Sequence, residues 1–273
     1  MSVNRPTMGR GAPGAALVTS DAGACASGRC TVKFGRNSVV GTTEEDVWEA
    51  GGTYVWEAAA FTLEVVSAGA NAANDTAAGS GAREVSVECV TAAGAVVTVK
   101  LPTNGTSAGV EVAPTSVAAV NRAWVSDSGT VSTGPTTGGI AGADGLTVQI
   151  TGAGNVQCKL LKTINQTRIL RYTVPTTLEN GTAVLGAEVT AIDISSGSDK
   201  DLTARLVRRS AGAAVTFDCF REAWGQVATS GHHAEFNDGV PIILAVGDSI
   251  SIRVSLGAST DIVGGTMNIR MLT

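Results

Sequence analysis

The sequence is poor in aromatic and charged residues, which make up only 4% and 16% of its 273 residues. A charged fraction this far below the usual quarter argues against intrinsic disorder and against a long coiled coil. An apolar run long enough to span a membrane is absent, as is a signal-peptide pattern at the amino terminus. The net charge of −5 argues against nucleic acid as a partner, because phosphate binding needs clustered Lys and Arg. We therefore expect neither a membrane nor a nucleic acid among the partners.

Cysteine and histidine are too few and too scattered to predict a disulfide framework or a metal site. The five cysteines are Cys25, Cys30, Cys89, Cys158 and Cys219. Cys25 and Cys30 lie in an Ala/Gly segment and could close a small loop in an oxidising compartment, which the sequence leaves open. The two histidines, His232 and His233, stand in a polar stretch that we interpret as an exposed loop. No cofactor or metal is expected.

Alternation of apolar and polar residues with period two recurs along the chain. The longest example is Ile250, Ile252, Val254 and Leu256, which alternate with Ser and Arg. Residues 61–65, 84–89, 97–101, 146–150 and 267–271 follow the same pattern. Asn-Gly and Asp-Gly pairs, typical of tight hairpin turns, stand between these runs. The pattern predicts an all-β fold of antiparallel sheets, arranged as two β-sandwich or jelly-roll-like domains.

Changes in composition divide the predicted chain into three parts. Residues 1–33 are rich in Gly, Ala and Pro and are interpreted as an extended N-terminal arm. Gly-rich stretches near residue 150 separate a β-sandwich domain at 34–150 from a jelly-roll-like domain at 151–273. One short helix is predicted over 42–51, where a Thr-x-x-Glu spacing precedes a terminal glycine.

Catalytic patterns are weak throughout. Gly247-Asp248-Ser249 is similar to the Gly-Asp-Ser block of one esterase family, but Ser249 opens a strand and no histidine follows it. The acidic residues Glu44, Glu45 and Asp46 are explained by the start of the predicted helix rather than by a metal. Isolated carboxylates elsewhere do not combine with a nucleophile or a base. We therefore expect no enzymatic activity and assign no catalytic residues.

Basic residues are the candidate interface residues. In the run 202–209, Thr203, Arg205, Val207 and Arg209 alternate with Leu and Ala and are predicted to face outwards. Two guanidinium groups on one strand face suit ion pairs with an acidic partner, although protection of an edge strand explains them equally well. The basic residues of the arm complete the predicted interface set: Arg5, Arg10, Arg29 and Lys33.

Three segments resemble virion structural proteins of tailed bacteriophages, especially marine and freshwater ones. They are Phe34–Asn37 with Trp48–Tyr54, Asn74–Val87, and Asn165–Arg168 with Tyr172–Pro175. The resemblance extends over most of residues 34–273 and consists of turn and strand motifs without catalytic content. It implies a β-rich particle component, often trimeric.

An arm followed by two small β domains suits a protein that sits on a lattice and threads an extension across its neighbours. We therefore expect a capsid decoration, or cement, protein on the virion surface that binds the major capsid protein and itself, as a homotrimer. The alternative is a tail-fibre, tail-spike or head-spike component that binds the host surface. A repetitive shaft, which a fibre would need, is absent from the sequence.

Overall fold

The computed structural model describes residues 30–131, 139–152, 154–197, 201–211, 213, 217–224, 232–235, 242–257 and 260–273. Within these residues the strands are β1 (Cys30–Val40), β2 (Glu45–Asp46), β3 (Leu63–Ala68), β4 (Ala82–Thr91), β5 (Val96–Pro102), β6 (Gly109–Val110), β7 (Val117–Ser128), β8 (Gly145–Ile150), β9 (Val156–Leu160), β10 (Arg171–Thr173), β11 (Gly186–Ser196), β12 (Leu202–Arg209), β13 (Phe217–Trp224), β14 (His232–Glu235), β15 (Ile242–Leu244), β16 (Ser249–Leu256) and β17 (Asp261–Leu272).

The prediction of an all-β fold is confirmed. The described residues contain no α-helix, and their single 3₁₀ turn, Ala72–Asn74, is three residues long. No helix in this part of the chain has the length and hydropathy needed to cross a membrane. All the paired strands are antiparallel, which suits sheets with one face on a core.

The strands form four sheets that pack as two units. In the terminal unit, sheet I has the order β1-β17-β11-β14, with β15 also on β11, and sheet II has the order β10-β16-β12-β13, with β2 on β16. In the insert unit, sheet III has the order β6-β3-β8-β9 and sheet IV the order β5-β4-β7. Each unit encloses its own apolar core.

The sheets group the residues differently from the predicted ranges 1–33, 34–150 and 151–273. Strand β1 begins at Cys30, and it pairs with the C-terminal strand β17 over most of its length. Residues 30–54 therefore belong to the terminal unit, whereas β9, at 156–160, belongs to the insert unit. The physical reason is long-range strand pairing, which local changes in composition do not report.

Burial follows the predicted alternation in β16. Ile250, Ile252 and Val254 are fully buried in the core of the terminal unit. On the opposite face of the same strand, Ser249 and Ser251 are also buried, although they are polar. This second burial indicates that sheet II has another layer packed on its outer face.

The helix predicted over 42–51 is wrong. Glu45 and Asp46 form strand β2, which pairs with Arg253 and Val254 of β16. The carboxylate of Glu45 accepts hydrogen bonds from Asn37 Nδ2 and Gly52 N, and that of Asp46 accepts one from Tyr54 N. The acidic side chains thus hold a folded loop against sheet II and do not cap a helix, because tertiary pairing outweighs a two-turn helical preference.

Three sets of contacts hold the two units together. Val125 N donates to Asn165 O, and Thr167 N donates to Ala123 O, so the connecting segment lies along strand β7. At the far end, the β4–β5 turn bonds to the segment after β10 through Val96 N and Thr177 O. The third contact is a buried polar junction, described next.

Candidate functional site

The basic residues predicted as interface residues lie in different environments. Arg5, Arg10 and Arg29 fall outside the described residues, as does Cys25, so these predictions stay predictions. Lys33 lies on β1 rather than in an arm, and it is only 7% exposed. Its Nζ donates a hydrogen bond to the backbone oxygen of Asn121 in strand β7. Lys33 therefore lies inside the molecule, between the two units.

Arg205 is engaged within the chain. Its guanidinium group forms a two-pronged ion pair with Asp218 and a second ion pair with Glu44. These carboxylates, Asp218 first, hold the pKa of Arg205 above its ordinary value. Strand β12 lies between β16 and β13, so protection of an edge strand does not explain this residue. The side chain remains about a quarter exposed, at 26%.

Arg209 also makes internal contacts. Its Nε donates to Ala213 O at 2.6 Å, and its Nη2 donates to Glu57 O at 2.9 Å. The guanidinium carbon lies 5.8 Å from the centre of the Trp56 ring. The pair predicted to face an acidic partner thus serves two separate purposes: Arg205 balances acidic side chains, and Arg209 packs against an aromatic ring.

The centre of the junction is Arg171, whose burial was not predicted from the sequence. This side chain is 2% exposed and stacks on Tyr54, with its guanidinium carbon 3.4 Å from the ring centre. Its Nη2 donates to the backbone oxygens of Val120 and Gln157, at 2.9 and 3.3 Å. Because both acceptors belong to the insert unit and Arg171 opens β10, this residue fastens the two units together. Desolvation lowers its pKa.

Asn121 forms a second bridge next to Arg171. It is fully buried, donates from Nδ2 to Thr173 O, and accepts from Thr173 N at 2.9 Å. The side-chain amide thus mimics a neighbouring strand for β10. Thr173 Oγ1 in turn lies 2.7 Å from Ser249 Oγ, which gives the buried hydroxyl of Ser249 a hydrogen-bond partner.

The sequence carries a signal for this junction, apart from the strand and turn patterns that predict the fold. Arg171 stands in the run Ile169-Leu170-Arg171-Tyr172, where a single charge interrupts apolar residues. Burial of a charge needs partners from elsewhere in the fold, and one sequence does not identify them.

The other residues considered in the sequence as possible catalytic or metal-binding groups have structural roles, or only their backbone is described. Asp248 is 2% exposed, accepts hydrogen bonds from Ala211 N and Ala245 N, and pairs with Arg208. It therefore holds a turn, and Ser249 bonds to Thr173.

The backbones of His232 and His233 pair with β11 as part of β14, so the predicted loop is a strand there. Within the described residues, no three His, Cys, Asp or Glu side chains are grouped to hold a metal.

An apolar strip follows the open edge of sheet I. Phe34 and Val39 of β1 are 44% and 59% exposed, and Ile262 of β17 is 40% exposed. The register places Val39 beside Ile262 and Phe34 opposite Thr266. In the described part of sheet I, β1 has β17 on one side and no strand on the other. We name Phe34, Val39 and Ile262 the edge strip.

Comparison with known proteins identifies no family. No family model and no curated protein matches the chain. Among solved structures, the cryo-EM structure of broad bean stain virus aligns with 10% identity over 78% of this chain and 84% of that chain, at a TM-score of 0.20. The crystal structure of the infectious bursal disease virus VP2 subviral particle aligns with 12% identity over 89% and 81% of the two chains, at a TM-score of 0.14. These weak structural neighbours are both virus particle proteins, and scores at this level do not establish a common fold.

Proposed function

We propose that the chain is a virion structural protein that decorates the outside of a tailed-phage capsid and stabilises the head. It binds the major capsid protein and other copies of itself, as a homotrimer, and it acts by adhesion without catalysis. The sequence resemblance described above supports the family. The observation that carries the adhesive role is the edge strip, since these exposed apolar side chains lie beside a strand edge that pairs with no other described strand, and such a surface is one that another protein can cover.

The position of the edge strip favours attachment to a lattice. Residues 1–29 connect directly to β1, so a partner bound by these residues is brought beside the edge strip. On a symmetric shell, many copies of a weak contact give strong overall binding, because neighbouring copies raise the effective concentration of one another's binding sites. A rigid body also suits this role, and the polar junction fixes the two units against each other.

The proposal is tested by heating capsids of the virus that encodes the chain, prepared with and without the protein. We expect decorated heads to lose their contents at a higher temperature, by several degrees. The variant Phe34→Ser/Ile262→Asn removes the apolar contact at two exposed positions, and we expect at least a tenfold weaker binding to the heads. Val112→Ser is the matched control, because Val112 is 96% exposed but lies in the insert unit.

The same experiment distinguishes capsid decoration from the alternative role of a spike or fibre component. A protein that binds host cells but leaves the melting temperature of the heads unchanged would be a spike or fibre component, and the decoration role would be rejected. Equal head binding by the double variant and the control would remove the edge strip from the mechanism.

A further inference from the structure

The buried polar junction contains hydrogen-bond donors that the described residues do not satisfy. They are Nε and Nη1 of Arg171, Nε1 of Trp56 and Nε2 of Gln157. All four are N–H groups, and each is buried from solvent. Leaving such groups without an acceptor costs roughly 1–3 kcal/mol each, so proteins almost always supply one.

The residues that carry these donors are grouped around Tyr54. The guanidinium carbon of Arg171 is 3.4 Å from the centre of the Tyr54 ring and 5.5 Å from the centre of the Trp56 ring. The rings of Tyr54 and Trp56 are 5.0 Å apart and nearly perpendicular. Gln157 accepts a hydrogen bond from Tyr54 through Oε1, which leaves its Nε2 as the donor at that end.

Cationic side chains surround these donors. Arg171 forms no ion pair with a described carboxylate, although its side chain is 2% exposed. Lys33 is buried in the same junction, and the guanidinium carbon of Arg209 lies 5.8 Å from the centre of the Trp56 ring. Asp46 acts on Arg171 from a distance: its Oδ2 pairs with Arg253 at 3.3 Å and accepts from Tyr54 N, and its buried Oδ1 has no hydrogen-bond partner among the described residues. A buried cation is stable only when a counter-charge compensates it.

We propose that the junction binds a small monovalent anion, chloride in a physiological medium, held by Arg171 with Trp56 and Gln157. A halide accepts several N–H donors at once and adds a negative charge beside a guanidinium group that forms no ion pair with a described carboxylate. Enclosure favours a single small ion, because Arg171 packs directly on Tyr54 and is closed off from solvent. The ion lies where the insert unit meets the terminal unit, so its binding stabilises their attachment.

The first test measures the melting temperature of the full chain in sodium chloride and in sodium gluconate at equal ionic strength. Gluconate is too large for an enclosed site. We expect the melting temperature to be about 3 °C higher in chloride, the shift produced by a ligand at about ten times its dissociation constant in a chain of this size.

The variant Gln157→Glu separates a bound anion from general salt effects. A glutamate keeps the acceptor for Tyr54, removes one donor and adds a negative charge beside Arg171. We expect it to abolish the difference between chloride and gluconate. Gln166→Glu is the matched control, because Gln166 carries the same change of charge at an exposed site on Arg122 and should keep the wild-type difference.

Crystals soaked in bromide give the second test. We expect an anomalous peak within hydrogen-bonding distance of Arg171 Nε. A site filled by water alone would give no peak and equal melting temperatures in both salts, and either result would overturn the proposal.

Discussion

Single residues in this protein show that the sequence pattern does not predict which polar side chains are buried. Asp75 is completely buried, and its carboxylate accepts hydrogen bonds from Ala82 N, Ala141 N, Gly142 N and Ser67 Oγ. One side chain thus joins strands β3 and β4 to the segment before β8. The sequence pattern does not single out Asp75, because its partners lie up to 67 residues away in the chain.

The burial of Lys33 is likewise not predicted from the sequence, and it leads to a prediction about the pH dependence of stability. Burial lowers the pKa of Lys33 from 10.5 to about 8, with desolvation as the main cause. The unfolded chain therefore binds more protons than the folded protein between about pH 8 and pH 10.5. The contribution of Lys33 to stability therefore rises with pH across that window and is constant below it, where Lys33 is protonated in both states.

The variant Lys33→Met isolates this contribution. We expect wild-type stability to rise relative to the variant by up to about 3 kcal/mol between pH 8 and 10.5, from a pKa shift of about 2.5. The measurement is urea unfolding of both proteins at several pH values. The comparison between proteins is needed because burial raises the pKa values of Tyr54 and Cys158, which destabilises the folded state at high pH.

Lys100→Met is the control for this experiment, since the side chain of Lys100 is 67% exposed. A difference between the wild type and Lys33→Met that stays constant across the pH range would contradict the buried position of Lys33.

Among the structural elements, the sequence pattern predicts the strands well but does not predict which strands pair with one another. The alternation in β16 predicted both the strand and its inward face, because side-chain direction in a strand is a local property. The pairing of β1 with β17 joins residues more than 220 positions apart, as in the pair Cys30 and Arg270, and nothing local marks it. For the same reason the strand β2 was predicted as a helix.

The close contact of β1 with the core leads to a prediction about the stability of a glycine variant in this strand. A Cβ atom on Gly35 would lie 2.4 Å from Leu170 Cγ and 2.7 Å from Val47 O, which is far inside van der Waals contact. We expect Gly35→Ala to destabilise the protein by about 2 kcal/mol or more, measured by thermal or urea unfolding, because the backbone of β1 must shift.

Gly41→Ala is the matched control. A Cβ atom on Gly41 would meet only Thr260 Cγ2, at an ordinary 3.8 Å. If the two variants were equally stable, β1 would not lie as closely on the core as the structure has it.

For the whole molecule, the sequence pattern predicted the fold class but not the arrangement of the units. Period-two alternation, with Asn-Gly and Asp-Gly pairs between the runs, indicated antiparallel β-sheets. The insert unit interrupts the terminal unit, which places residues 30–54 beside the C-terminal strand. As a consequence, strand β1, which follows most of the predicted arm in the chain, pairs with the C-terminal strand β17 at the edge where the edge strip lies.

Under the proposed function, this molecule adheres in many copies to a shell. The sharpest test adds the purified full chain to capsids of its own virus prepared without it, sediments them, and counts the bound copies at saturation. We expect saturable binding of hundreds of copies per head. Binding of only about a dozen copies, or none, would overturn the proposed function.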